Sequence, residues 1–267
     1  MKLISLLAIV LAYVYCSNAQ KRGAIGFDSW RRDVKKSSAK AERMSRTVEM
    51  IESIPIPPSF KKDSSVPEHN RKGPAIFAAA MSAEMMSRDA KMFTLTARNS
   101  GYSGDIVLAV LPNSQPKFLE VLKFANAITY TLNPNCTGVS HDKKCSMSSG
   151  GLMVSINMIR FYMYQWWARM YDSDALIMIS DFRDVFFQGN PFTYRTYEWA
   201  PPIAQMVVFQ EAFPNKVIYR CPFNSGWIEN CYGTEALKRV ASNTVSCSGV
   251  SIGTRNAILL YVRICIS

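Results

Sequence analysis

A chain of 267 residues with 48% hydrophobic content is long enough to bury a substantial core and too apolar to be disordered throughout. The formal charge of +11 raises nucleic acid as a partner, yet the basic residues concentrate between positions 21 and 72. After Gly73 there is no basic stripe interleaved with aromatics and no helix-turn-helix, zinc-finger or RNA-binding signature, so composition argues against nucleic acid.

Lys2 precedes an apolar run at 3–16, and Ser17, Asn18 and Ala19 supply small residues before Gln20. Residues 1–19 therefore read as a signal peptide, which sends the chain into the secretory pathway, to be secreted or kept in the Golgi lumen. The alternative is an uncleaved anchor, which would make it a type II Golgi membrane protein. Residues 20–73 are charged, carry Pro55, Pro57, Pro58 and Pro67, and show a helical pattern only at 39–52, so they read as a basic stem or linker.

From 74 the apolar pattern alternates. Strands are expected at 74–80, 105–111 and 128–132, with helices at 115–125 and from a Ser82 cap to about 99, where Met85, Met86, Ala90 and Phe93 share a face. A long aromatic helix over 152–171 leads through Asp172, Ser173 and Asp174 into a strand that ends at Asp181. Its Tyr162, Tyr164, Trp166 and Trp167 fall at helical spacing and read as core. Beyond lie a strand at 206–209, a turn at Asn224, Ser225 and Gly226, a helix at 234–241, and a stretch at 245–252 that runs into a final helix from 254. Such alternation predicts one domain, 74–267, built on a mostly parallel sheet with helices on both faces.

Of seven cysteines, Cys16 leaves with the signal. Cys136, Cys145, Cys221, Cys231, Cys247 and Cys265 remain, an even set suited to disulfides in an oxidising lumen. Cys136 with Cys145, and Cys221 with Cys231, are local pairs that bracket loops. No Cys-x-x-Cys pair exists, and His69 and His141 lie in polar segments, which argues against a zinc site. Asn135-Cys136-Thr137 matches a glycosylation sequon.

The stretch 175–192 carries the chemistry. An apolar run at 175–179 stops at Ser180, Asp181, Arg183 and Asp184 before apolar character returns at Val185, Phe186 and Phe187. In open α/β sheets ligands collect beyond the carboxyl ends of strands, and Mg²⁺ or Mn²⁺ takes oxygen ligands from a few carboxylates together with substrate phosphates. The plainer reading is a solvated turn capped by the two acids, with Arg183 paired to one of them.

ISDFRDVFFQGNPF, followed by FNSGWIENCYG and then SCSGVSIGT before a helix, resembles the nucleotide-diphospho-sugar transferases of the GT-A fold, over positions 74 to 267. The resemblance implies an α/β, Rossmann-type mixed but mostly parallel sheet. It implies that Asp181 and Asp184 hold Mn²⁺ or Mg²⁺ and the donor diphosphate, and that Asn224, Ser225 and Gly226 line the donor-sugar and acceptor pocket. The usual motif is Asp-x-Asp; here Arg183 takes the third place, where its fork suits diphosphate oxygens. The family often supplies a further C-terminal metal ligand, which positions 261–267 lack, so the resemblance implies a chain cut short.

The function implied is transfer of a sugar from a nucleoside-diphosphate donor to a hydroxyl of a glycan or glycoprotein acceptor, with the metal offsetting charge on the leaving diphosphate. Glu211 and Glu229 read as ordinary surface acids, and no catalytic base is assigned. The competing expectation is a secreted, non-catalytic pseudoenzyme or carbohydrate-binding protein.

Overall fold

The computed structural model describes residues 61–62, 67–133, 135–137, 144–146, 154–193, 206–212 and 215–266. The signal segment, the helical pattern at 39–52 and His141 lie outside the described residues. Four apolar segments form the centre of a seven-stranded sheet: β2 (Ala75–Ala80), β3 (Asp105–Val110), β4 (Ile128–Thr131) and β8 (Leu176–Ser180). All four run parallel, in the order β4-β3-β2-β8. Their nearly continuous aliphatic composition fits strands covered on both faces, as parallel sheets require.

The margins of the sheet are antiparallel. A short β1 (Lys61–Lys62) pairs with β4, while β10 (Ser246–Thr254) lies between β8 and β9 (Met206–Gln210) and opposes both. The sheet is therefore mixed. A small second sheet contains β5 (Asn135–Thr137), β6 (Lys144–Ser146) and β7 (Val154–Ser155), and its register sets Cys136 opposite Cys145.

Alternation along β2 splits the core in two. Ala75 and Phe77 join Val107, Ala109, Ile177 and Ile179 on the face covered by α3 (Ile156–Ala168) and α6 (Arg255–Ile266). Ile76, Ala78 and Ala80 join Ile106, Leu108 and Met178 on the other face. It is covered by α2 (Pro116–Phe124) and by α1, a continuous run of Ser87–Ala90, a π-helical Lys91–Leu95 and Thr96–Asn99. Tyr164, Trp166 and Trp167 are buried, as their helical spacing predicts.

The helix expected over 152–171 spans only Ile156–Ala168, because Val154 and Ser155 pair with β6 as a strand. Two further expectations fail for local reasons. Ser82 does not cap α1: its hydroxyl accepts the Glu84 N–H in a preceding turn, and the helix starts at Ser87, where Asp89 accepts the Met86 N–H at 2.9 Å. Asn224, Ser225 and Gly226 form no turn. They lie in α4 (Pro222–Tyr232), which follows a 3₁₀ turn at Ile218–Arg220 and precedes α5 (Thr234–Val240). Pro222 opens α4 because its fixed φ suits a first helical position, and that outweighs the turn preference of Asn-Ser-Gly.

The helix also excludes the expected local pairing of Cys221 with Cys231. Ten residues of helix separate Cα atoms by about 15 Å, far beyond disulfide reach, and Cys221 is a free thiol.

Candidate functional site

The connections diverge between β2 and β8. From β2 the chain moves outward to β3 and β4, then returns to lay β8 on the opposite side of β2. The carboxyl ends of β2 and β8 thus flank a topological switch point, where open sheets form a crevice for ligands. Asp181 follows β8 directly at this edge.

Three contacts fix Asp181. Its N–H donates to the Gly249 carbonyl at 2.7 Å across the β8–β10 ladder. The buried Ser180 hydroxyl donates to the Asp181 carbonyl at 2.8 Å, and the Tyr164 hydroxyl donates to the Ser180 carbonyl at 3.2 Å. A Cβ on Gly249 would lie 2.7 Å from Asp181 Oδ2, so the carboxylate occupies space that only glycine leaves open. Gly249 lies where β10 shifts register against β9, between Ser246 and Ser251. Phe182 turns inward, its ring 4.9 Å from that of Phe93 and 5.8 Å from that of Phe118, and so pins the acidic turn to the core.

The other Asp181 oxygen, Oδ1, is paired with Arg160 Nη1. Arg160 projects from the first half of α3, with its guanidinium 5.0 Å from the Phe161 ring. Its side chain is 21% exposed and that of Asp181 36%, so the pair is open to solvent but held against the fold. The Arg160 Nε–H is buried and has no acceptor among the described residues. Tyr164 and Tyr261 face the same guanidinium; burial pushes both phenols above the ordinary tyrosine range, and the Arg160 charge pulls the other way. Burial likewise pushes the Cys265 thiol up to about 11.

Sequence reasoning passed over Arg160, although a signal was present. It is the one charge in INMIRFYMYQWWA, and a charge on an otherwise apolar helix needs a partner.

The remaining expected site residues divide. Arg183 and Asp184 are exposed on the turn beyond Phe182, and neither makes a hydrogen bond or ion pair among the described residues. Among the described residues no three His, Cys, Asp or Glu side chains converge on a point where a metal ion could sit.

Asn224, Ser225 and Gly226 are half-buried on α4. Asn224 Nδ2 donates to Cys221 Sγ at 3.0 Å, and the Ser225 hydroxyl donates to the Cys221 carbonyl at 3.0 Å. The Asn224 contact leads the causes that lower the Cys221 pKa. Space is open where a Gly226 Cβ would stand, so no close approach by the protein requires that glycine. Cys247 Sγ is 3.5 Å from the position a Cβ would take on Gly249.

Glu211 and Glu229 behave as the surface acids they resemble. Glu211 pairs with Lys216, and Glu229 accepts the Thr234 hydroxyl. The outer face of α4 is unusually aromatic: Phe223 is 72% and Trp227 65% exposed, with ring centroids 6.2 Å apart.

His69 belongs elsewhere. Its Nδ1 is 2.8 Å from the Tyr171 hydroxyl and its Nε2 2.7 Å from the Tyr130 hydroxyl, while Tyr171 donates to Asp105 at 2.7 Å. This network ties the segment before β2 to the sheet and to the end of α3.

No protein-family model matches the chain, and no curated protein matches it.

Proposed function

We propose that this protein transfers a sugar from a nucleoside-diphosphate donor to a hydroxyl of a glycan or glycoprotein acceptor within the secretory pathway. The observation that carries the reading is the Asp181–Arg160 pair at the carboxyl end of β8, beside the switch point of the sheet. In the transfer, the bond between the anomeric carbon and the diphosphate breaks with its electrons on a phosphate oxygen. The acceptor oxygen bonds to that carbon, and its proton passes to the departing phosphate or to water. Negative charge grows on the diphosphate, and a fixed, partly buried cation is the kind of group that lowers the cost of that growth. The GT-A likeness of the acidic motif supports the same reading. Mn²⁺ or Mg²⁺ would have to draw Asp181 away from Arg160, and no step is assigned to it.

A second reading, carbohydrate binding without transfer, is favoured by Phe223 and Trp227. Two exposed rings beside Asn224 form a surface on which a sugar ring can stack.

The test is release of nucleoside diphosphate from a panel of UDP- and GDP-sugars by the full chain, with Mn²⁺ and with EDTA. Release from at least one donor is expected. No release under either condition, together with glycan binding that Trp227→Ala abolishes, would replace the transferase reading by the binding one.

A further inference from the structure

We propose that Arg160 is the diphosphate-binding cation of this site, exchanging Asp181 for phosphate oxygens when the donor arrives, so that the donor is held without a divalent metal. The inference rests on the transferase reading for the identity of the anion, and on the following geometry for its location.

Arg160 is already the counter-charge of Asp181, the acidic residue fixed at the carboxyl edge among the described residues. An ion taking oxygen from Asp181 would have to break that pair, whereas a phosphate can replace the carboxylate on the same guanidinium. Guanidinium forks match phosphate as well as carboxylate oxygens. The buried Nε–H, without an acceptor among the described residues, is an unused donor of that fork. Its position at the fifth residue of a thirteen-residue helix sets it near the α3 amino terminus, where the helix dipole adds to the positive field. Arg183, exposed on the adjoining turn, adds a second cation at the same edge. The pair is therefore a preformed anion site in which Asp181 holds the Arg160 guanidinium at the carboxyl edge until a phosphate takes its place.

The exchange has an unusual signature. If Asp181 competes with phosphate, its removal tightens anion binding; if Asp181 ligates a metal, its removal weakens binding that depends on the metal.

Calorimetric titration of the full chain with UDP, GDP and inorganic pyrophosphate, in EDTA and then in Mn²⁺, tests this. In EDTA the wild type is expected to bind the nucleoside diphosphate, with Arg160→Gln weaker by about thirtyfold and Arg160→Lys by about fivefold, because lysine keeps charge but loses the fork. Asp181→Asn is expected to bind about threefold tighter in EDTA, as the competing charge is gone. Thermal unfolding of each variant reports folding, and Arg160→Lys carries the test where Arg160→Gln does not fold.

Binding that appears only with Mn²⁺, falls in Asp181→Asn and ignores Arg160→Lys overturns the inference and leaves the transferase reading in place. Arg160-dependent pyrophosphate binding without release from any nucleotide sugar does the reverse: it keeps the anion site and removes the transferase reading.

Discussion

Gly249 and Asp181 meet across the β8–β10 ladder so closely that a methyl group on Gly249 would stand 2.7 Å from Asp181 Oδ2. The atom met is the far end of a side chain that can rotate, so the backbone need not move.

Gly249→Ala is accordingly expected to alter stability by less than about 1 kcal/mol while swinging the carboxylate off Arg160. Nucleoside-diphosphate binding in EDTA should tighten about threefold, as in Asp181→Asn, because the displaced carboxylate no longer competes for Arg160. Thermal unfolding beside the binding titration separates the two effects. A large loss of stability would show that the strand, not the side chain, had to yield.

The centre of the sheet should behave in the opposite way. Phe77 is fully buried on β2, with Trp167 and Tyr171 rings 5.5 and 5.6 Å away. Phe77→Ala is expected to cost about 3–5 kcal/mol in chemical denaturation, with transfer and cavity terms adding.

Alkaline pH should unfold the protein through its tyrosines. Tyr130 is pushed up to about 12, by burial first and by Glu68 second, and burial raises Tyr102, Tyr164, Tyr171 and Tyr261 further. A folded pKa above the unfolded value of 10.0 stabilises the fold fully below that value, and the stabilisation is lost as pH climbs through about 12. Phenolate absorbance is expected to appear together with loss of structure above pH 10.0. Smooth titration of these phenols without unfolding would contradict the burial.

The thiols should sort by environment. Asn224 and neighbouring backbone amides favour the Cys221 thiolate, whereas Cys265 is held neutral by burial. Alkylation near neutral pH followed by peptide mass analysis should label Cys221 first and Cys265 last. Non-reducing digestion should show Cys136 joined to Cys145, since directly opposed residues of an antiparallel pair lie within disulfide reach. Recovery of both as free thiols from material folded under oxidising conditions would refute that bridge.

The central sheet was legible because each parallel strand is a short aliphatic run bounded by turn residues, and the buried aromatics of α3 followed from their spacing. Asp181 at a strand end was legible for the same reason: an aliphatic run that stops at a carboxylate announces its own boundary. The partner of Asp181 was not, because Arg160 stands on a different element and the sequence does not state which helix face meets which strand end. The direction of β10 was hidden too. Nothing in SCSGVSIGT distinguishes a strand that continues the parallel order from one that opposes it. At Asn224 local preference misled: three turn formers in a row are absorbed into a helix once Pro222 has set its first dihedral angle.

The place of β10 in the sheet bears on how the molecule is made. β9 leaves the ribosome before β10 yet touches the sheet only through it, so β9 has no strand to join until the later segment has docked on β8. During synthesis the edge of β8 waits open, and Asp181 lacks its Gly249 partner until the same late segment arrives. A nascent chain released before β10 would expose an unpaired apolar edge, a substrate for chaperones and for aggregation.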